Sequence, residues 1–307
     1  MNLETPIRLL RAMPSSEGRA VYRQALRAWL WGWAGRLPWA LRWNATLSGT
    51  SRIRLNARDQ VISRTIFSTG EWEPGELQFI RSYVKPGMVV MDVGANIGVH
   101  TLTMAQSVGA NGAVHSFEPT VVFETLQYNV RQNGFGGRVH LNHCAVGAAE
   151  GTLQLLACKP GYELFTSEGT PLVPEVATGQ YVNYPMTALD VYVRQQGLGH
   201  IDFLKVDVEG AEDLVLEGAR GLITRGAVGC ILFELNEVCM NNNGRSAEAF
   251  LQMLRSSGYH LSMIDCEARF HPVPENLRGT VFNIVATHQP LRLAENHYQG
   301  ARAGASV

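Results

Sequence analysis

The chain has 307 residues, room for one large domain or two small ones, and its 46% hydrophobic and 17% charged composition allows a sizeable core. A formal net charge of -1 argues against a protein built to hold nucleic-acid phosphates, and no acidic or basic block stands out. The balance is that of an ordinary soluble enzyme.

At the N-terminus no long uncharged apolar run follows the first basic residues, so no signal peptide is expected. Five of the six tryptophans (Trp29, Trp31, Trp33, Trp39, Trp43) fall within one short segment, interrupted by Arg36, Pro38 and Arg42. A spanning helix needs about 20 mostly apolar residues, which this segment does not supply. Two readings stay open for Trp29–Trp43: peripheral contact with a membrane surface or a greasy lid, and a helix packed on its own domain or on a second subunit of a homo-oligomer. Residues 1–57 are taken as this Trp-rich extension, 58–290 as the main domain and 291–307 as a tail whose end, His297 to Val307, is expected to fray. Glu73 falls in an isolated Trp72-Glu73-Pro74 turn, ahead of the main fold.

From about residue 85 apolar runs alternate with helical periodicity. Met88–Val93 reads as a buried strand entered through Pro86-Gly87, and Ile97, Met104, Ala105 and Val108 share one helix face. A second strand at Ala113–Glu118 precedes a helix with Val122, Leu126 and Val130 in line, and Arg138–Leu141 starts a third unit. Residues 151–185, with Gly161, Gly169, Pro171, Pro174 and Gly179, read as a β-ribbon and a long loop. A helix over Ala188–Gln196, a strand over Ile201–Asp207, and one helix carrying Leu214, Val215, Leu222 and Ile223 follow. The strand Gly229–Leu235, a helix over Ala247–Leu254 and strands at Tyr259–Ile264 and Thr280–Ala286 complete the series. This order predicts an α/β fold: a doubly wound, mostly parallel, seven-stranded Rossmann-like sheet with an antiparallel last strand and an N-terminal helical extension. Five scattered cysteines without a CxxC pair argue against a disulfide framework or structural zinc, and fit a reducing cytoplasm.

In such sheets ligands bind beyond the carboxyl ends of the strands. The first strand ends in Asp92-Val93-Gly94-Ala95-Asn96-Ile97-Gly98, where glycines admit a ligand close to the backbone, and the second in Glu118-Pro119, a carboxylate placed to hold ribose hydroxyls. Nicotinamide-dependent dehydrogenases and methyltransferases share both features. Here the third glycine of G-x-G-x-x-G is missing and Asp92 would repel a pyrophosphate. A carboxylate instead suits the ammonium and sulfonium groups of S-adenosyl-L-methionine.

The runs Val89–Gly98, Phe117-Glu118-Pro119, Asn142–Gly147 and Phe203–Glu212, with Gly70–Pro74 upstream and Thr187–Asp190 between, resemble the FkbM-type methyltransferases over about residues 58 to 288. The resemblance implies a class I methyltransferase fold, S-adenosyl-L-methionine as donor and a small-molecule acceptor, commonly a sugar or natural-product hydroxyl. It implies that Gly94, Asn96 and Gly98 shape the turn under the methionine moiety with Asp92 near its amino group, that Glu118 grips the ribose, that the backbone at Cys144 and Ala145 flanks adenine, and that Asp207 lies near the transferring methyl. It also favours Glu73 as a residue folding over cofactor or acceptor. An alcohol acceptor must shed a proton, to a base or with the help of a divalent metal. Asp207, Glu209 and Glu234 lie at or past strand ends, and Lys205 shares the face of Asp207 if alternation holds. Asp207, Glu209 and Lys205 are the catalytic candidates. No metal ligands are assigned. Glu209 reads equally as a cap of the helix near Gly210, Glu212 and Asp213 as helix-start charges, and His115, His140 and His143 as structural; His100 faces the cofactor turn. N-methylation and cofactor binding without turnover stay open as alternatives.

Overall fold

Two compact units emerge from the computed structural model, which describes residues 16–35, 42–47, 51–163, 166–167, 173–274, 277 and 281–292. The first unit gathers the described residues up to Trp72 together with Pro160–Tyr162, so it runs beyond the expected boundary at residue 57. It holds helix α1 (Ser16–Ala34), an antiparallel hairpin of β1 (Arg42–Leu47) and β2 (Ser51–Asn56), and helix α2 (Ile62–Thr69). The extension is therefore not purely helical. In β2 the apolar residues alternate with polar ones, which puts Ile53 and Leu55 inside and the arginines outside. The tryptophans divide by helix phase: Trp31 is 1% exposed and packs 5.0 Å from Trp43 and 5.2 Å from Phe67, whereas Trp29 and Trp33 stand exposed. Trp31 Nε1 donates to the carbonyl of Asp59, whose carboxylate accepts the Val61 and Ser63 N–H groups at the start of α2. Trp39, Arg36, Pro38 and His297–Val307 lie outside the described residues. No described helix is long and apolar enough to cross a membrane.

The second unit is built on an eight-stranded sheet. After helix α3 (Pro74–Tyr83) come β3 (Val89–Val93), α4 (Val99–Ser107), β4 (Ala113–Phe117), α5 (Phe123–Gln132) and β5 (Val139–Asn142). Next are β6 (Ala145–Val146), β7 (Gly151–Cys158), β8 (Ala177–Thr187), α6 (Leu189–Gln195), β9 (Ile201–Val206), α7 (Glu212–Glu217) and α8 (Arg220–Thr224). The chain ends in β10 (Val228–Asn236), α9 (Glu237–Asn242), α10 (Glu248–Ser256), β11 (His260–Ile264), β12 (Phe270–Pro272) and β13 (Val281–Thr287). The spatial order is β12-β11-β13-β10-β9-β3-β4-β5. The pairs among β5, β4, β3, β9 and β10 are parallel, and β13 inserts antiparallel between β10 and β11. The doubly wound fold with its antiparallel last strand is thus the observed one. The additional strand is β12, which hairpins back on β11 through a turn where the Asp265 carboxylate accepts the Glu267 and Arg269 N–H groups and binds His271 Nε2 at 2.8 Å. The irregular stretch yields the expected ribbon, β7 against β8, joined by β6 in a separate three-stranded sheet.

Three local expectations change. The single helix over Leu214–Ile223 splits into α7 and α8 at Gly218-Ala219, and close packing there requires glycine: a Cβ on Gly218 would come within 2.0 Å of the Gly147 carbonyl. The second piece then needs its own cap, which Asp190 supplies by accepting the Gly221 and Leu222 N–H groups at 2.7 and 2.8 Å. Glu73 does not sit in an isolated turn; it is the N-cap of α3, with Pro74 at the first helical position where its missing N–H costs nothing. The end of β10 runs on into α9, whose start Asn236 caps by accepting the Cys239 N–H.

Strand alternation sorts the sheet into two faces, each buried under its own core. Met91, Val93, Leu204, Val206, Ile231, Phe233 and Ile284 face one way. Val90, Phe203, Leu232 and Val285 face the other, with residues of α3, α4 and α5 over them. By the same alternation Asp92, Lys205, Asp207, Glu234 and Asn283 fall on this second face, at the carboxyl-end side of the parallel strands. Burying charge there is unfavourable unless it is paired, so the polar patch has to be explained by what it holds.

Candidate active site

The glycine turn after β3 is fixed by backbone geometry. Gly94 has φ +81°, and a Cβ on it would lie 1.7 Å from the Asp207 carbonyl, so no other residue fits without moving a strand end. Gly94 and Ala95 N–H groups donate to the Phe117 carbonyl, which ties the turn to β4. Asn96 adopts a left-handed conformation (φ 47°), its amide oxygen accepting the Ile97 N–H at 2.8 Å. Gly98, at φ +95°, lets Leu126 pack against the start of α4.

On the β4 side of this turn the polar groups are matched. Glu118, 5% exposed, accepts the Asn96 N–H on one oxygen, and the Thr120 N–H and hydroxyl on the other. Burial pushes its carboxyl above the usual range, while those three bonds favour the ionised form. Cys144 is half-buried, and burial raises its thiol; Ala145 begins β6 and is buried. His143 stacks on Phe123 at 4.3 Å, and His115 stacks on His140 and meets the Tyr192 hydroxyl at 2.8 Å.

On the β9 side the arrangement is strongly acidic. Asp92 is fully buried; one oxygen accepts the Thr101 hydroxyl at 2.5 Å, the hydroxyl of Ser116 extends the chain, and the other oxygen has no hydrogen-bond partner. Lys205, its cross-strand neighbour, is 2% exposed and donates to Asp207 at 2.8 Å. Burial alone would lower the ammonium; Asp207, Asp92, Glu76 and Glu73 outweigh it and hold Lys205 above its ordinary value, so it is charged. Past Asp207 the chain makes a tight left-handed bend through Glu209 (φ 55°) and Gly210 (φ 91°). Glu212, fully buried, accepts the Gly210 N–H at 3.0 Å and the Val208 N–H at 3.3 Å, and Arg245 donates to the Gly210 carbonyl. Glu212 is therefore the helix-start charge that sequence suggested, and Glu209 does not cap: its carboxylate reaches Asn236 at 3.4 Å instead. Asp213 pairs with Arg245 at 2.8 Å.

The bend brings single oxygens of Asp207, Glu209 and Glu234 within 4.8 Å of one another. Although both glutamates keep some solvent contact, burial pushes their carboxyls well up, and repulsion adds to it, led by Glu234 for Glu209 and by Asp207 for Glu234. Above them α3 and α4 bring Glu73, Glu76 and His100 together. Gly75 fixes the start of α3, since a Cβ there would lie 2.0 Å from the Asp265 carbonyl, and Asn283 of β13 donates to Glu76. Burial raises Glu76 to about 7, against the pull of Lys205. Two carboxylates 3.3 Å from His100 Nε2 would ordinarily raise the imidazole, yet burial, aided by the charge on Lys205, drives it down to about 3. Burial decides, and His100 is a neutral ring.

The fold thus gathers Glu73, Asp92, Lys205, Asp207 and Glu209 on one flank of the glycine turn, and sets Glu118, Cys144 and Ala145 on the other. Sequence reading missed Glu76 and Asn283. The spacing of Glu76, one helical turn from Glu73, would have revealed the first had α3 been recognised; nothing local signals the second. A positively charged ligand group suits the acidic flank, where one buried oxygen of Asp92 has no hydrogen-bond partner, so these residues fit S-adenosyl-L-methionine.

Comparison with known proteins agrees. Residues 92–261, more than half of the chain, match the model of the methyltransferase FkbM domain. The chain is 30% identical over 165 residues to the 31-O-demethyl-FK506 methyltransferase FkbM of Streptomyces tacrolimicus, covering 44% of this chain and 60% of that one. It is 30% identical over 154 residues to the methyltransferase sdnD of Sordaria araneosa, covering 42% and 59%. In each case the match spans less than two thirds of the relative's length. Among solved structures, a putative rRNA-methylase from Clostridium thermocellum superposes with a TM-score of 0.42 at 11% identity, covering 69% of this chain and 94% of that one. The glycine turn, the strand-end carboxylates and the family match lead to one conclusion: the chain belongs to the FkbM methyltransferase family, whose domain uses S-adenosyl-L-methionine.

Proposed function

We propose that the protein is an O-methyltransferase that moves a methyl group from S-adenosyl-L-methionine to a hydroxyl of a sugar or another small natural product. The observation that carries this reading is the group of basic carboxylates at the end of β9 and β10, beside the glycine turn. Bound S-adenosyl-L-methionine supplies an already activated methyl group on a sulfonium, so the protein's tasks are alignment and removal of one proton. Asp92 and the turn would hold the cationic methionine end, and Glu118 would hold the ribose. Asp207, kept in place by Lys205, would orient the acceptor, and Glu209 or Glu234, whose carboxyls burial and repulsion by neighbouring acids raise above the ordinary glutamate range, would take the hydroxyl proton. An amine can lose its proton to solvent before it attacks, whereas a hydroxyl must lose its proton in the transfer step, and a base beside the glycine turn suits the second case better. The relative from Streptomyces tacrolimicus, by its name, acts at an O-demethyl position.

Titration calorimetry with S-adenosylhomocysteine, and separately with NAD, tests the cofactor: binding of the first and not the second is expected, and no binding of S-adenosylhomocysteine overturns the reading. Label transfer from methyl-labelled S-adenosyl-L-methionine to a panel of hydroxylated and amino sugars tests the acceptor class, and labelling of amines alone would replace O-methylation. Asp207→Ala should abolish turnover and retain part of the S-adenosylhomocysteine affinity.

A further inference from the structure

Glu73, Glu76 and His100 make a group distinct from the acids at the β9 and β10 ends. His100 Nε2 lies 3.3 Å from an oxygen of Glu73 and 3.3 Å from an oxygen of Glu76. Neither approach has the direction of a hydrogen bond: Nε2 is without a hydrogen-bond partner in a residue only 5% exposed. A buried ring nitrogen equidistant from two oxygens and aimed at neither is unfavourable for the protein alone. It is the expected arrangement when all three atoms point at a common centre. Two ligands about 2.0–2.1 Å from a tetrahedral ion lie roughly 3.4 Å apart, which is the observed spacing. The supports are also of the right kind. Asn283 donates to the second oxygen of Glu76, the outer hydrogen bond that ligating carboxylates commonly have. His100 sits in the first turn of α4 and Glu76 in the first turn of α3, so both ligands stand on fixed helical backbone.

We propose that Glu73, Glu76 and His100 bind one divalent cation of the zinc or manganese type, through the imidazole nitrogen and one oxygen of each glutamate. The imidazole selects against calcium and magnesium, which prefer all-oxygen sites. Three protein ligands leave a coordination position free, which a water or an acceptor hydroxyl would fill. The surrounding charge permits the ion, since Asp92 and Asp207 face the same space and Lys205 is the cation set among them. The assignment holds whatever the acceptor is.

The test uses the full chain, stripped with a chelator and dialysed, then titrated with Zn2+, Mn2+, Mg2+ and Ca2+ while bound metal is counted by mass spectrometry. One equivalent of Zn2+ or Mn2+ is expected, at least ~10-fold tighter than Mg2+. His100→Gln and Glu76→Gln should each weaken it by roughly 10- to 100-fold, whereas Asp207→Asn and Glu234→Gln should leave it within about fivefold. X-ray absorption on the Zn2+-loaded wild-type chain gives a readout free of any folding defect in the variants, and should show one imidazole among oxygen neighbours. An all-oxygen shell, or loss of the ion with Asp207→Asn but not His100→Gln, places the cation at the other acids and overturns the proposal. No stoichiometric uptake overturns it too.

Discussion

The two flanks of the Asp92–Gly98 turn carry similar side chains and treat them in opposite ways. Toward β4, both oxygens of Glu118 are met by backbone N–H groups and a hydroxyl. Toward β9, one oxygen of Asp92, one oxygen of Glu212 and the ring nitrogen of His100 are buried without hydrogen-bond partners, and the carboxyls of Glu76, Glu209, Glu212 and Glu234 are all pushed up. A flank that is complete by itself serves as a rigid rest for a ligand. A flank with uncompensated buried acids is complete only when something positive arrives, and it keeps carboxylates basic enough to accept a proton until then.

Breaking the junction between the flanks should have the largest effect. Gly94→Ala would drive a methyl into the Asp207 carbonyl at a backbone angle that favours glycine; a loss of about 3 kcal/mol or more in unfolding free energy is expected, along with loss of S-adenosylhomocysteine binding. Next comes Lys205→Met, which removes the buried cation from among four carboxylates. Leaving buried charges uncompensated costs roughly 3–5 kcal/mol, and the stability of this variant should recover partly in acid, as the stranded carboxylates protonate. If it is as stable as the wild type at neutral pH, those acids are already neutral and the contrast between flanks is wrong.

Glu118→Gln probes the satisfied flank. One oxygen remains to accept an N–H, but the amide end faces another donor, so a loss of about 1–2 kcal/mol in stability and roughly tenfold in S-adenosylhomocysteine affinity is expected. A larger loss in affinity than in stability would point to direct ribose contact. The smallest effect is the pH response of Glu212. Its folded-state carboxyl is raised from 4.5 to about 7, chiefly by burial, so the folded chain holds more protons than the unfolded one between these values. Its stabilising contribution is therefore full below the unfolded value and is lost as pH rises through about 7. Glu212→Gln, which still offers an oxygen to the Gly210 N–H, should flatten the decline in melting temperature from about pH 5 to pH 8, with little change at the acid end. An unchanged slope would remove Glu212 from the strained flank.

Much of this was legible in the chain. Alternation over Ile201–Asp207 put Lys205 and Asp207 on one side of a strand, and they are paired at 2.8 Å. The glycines of the Asp92–Gly98 turn were expected to admit a ligand close to the backbone; the close approach at Gly94 is instead to the Asp207 carbonyl. These features are local: a strand has a period of two and a left-handed turn has few residues that tolerate it, so a single sequence carries both. Helix phase separates the buried Trp31 from the exposed Trp29 and Trp33, but this division was not assigned from the sequence, and the strand that carries Trp43 was not anticipated.

Other features were decided only by tertiary structure. Glu76 and Asn283 are 207 positions apart and meet because β13 inserts antiparallel beside β10 while α3 is held against the β11–β12 turn at Gly75. A continuous helical pattern divides at Gly218-Ala219, where a distant carbonyl lies against Gly218, and Asp190, from another helix, caps the second piece. The raised carboxyls and the neutral His100 follow from burial and from neighbours on several elements, quantities that no spacing encodes. Sequence alone determined the alternating strands and helices and the glycine turn, since these rest on local backbone preferences and alternation, and its carboxylates and family resemblance pointed to the cofactor class. The tertiary structure decided which acids share a space, because that depends on where long-range packing sets the helices above the sheet.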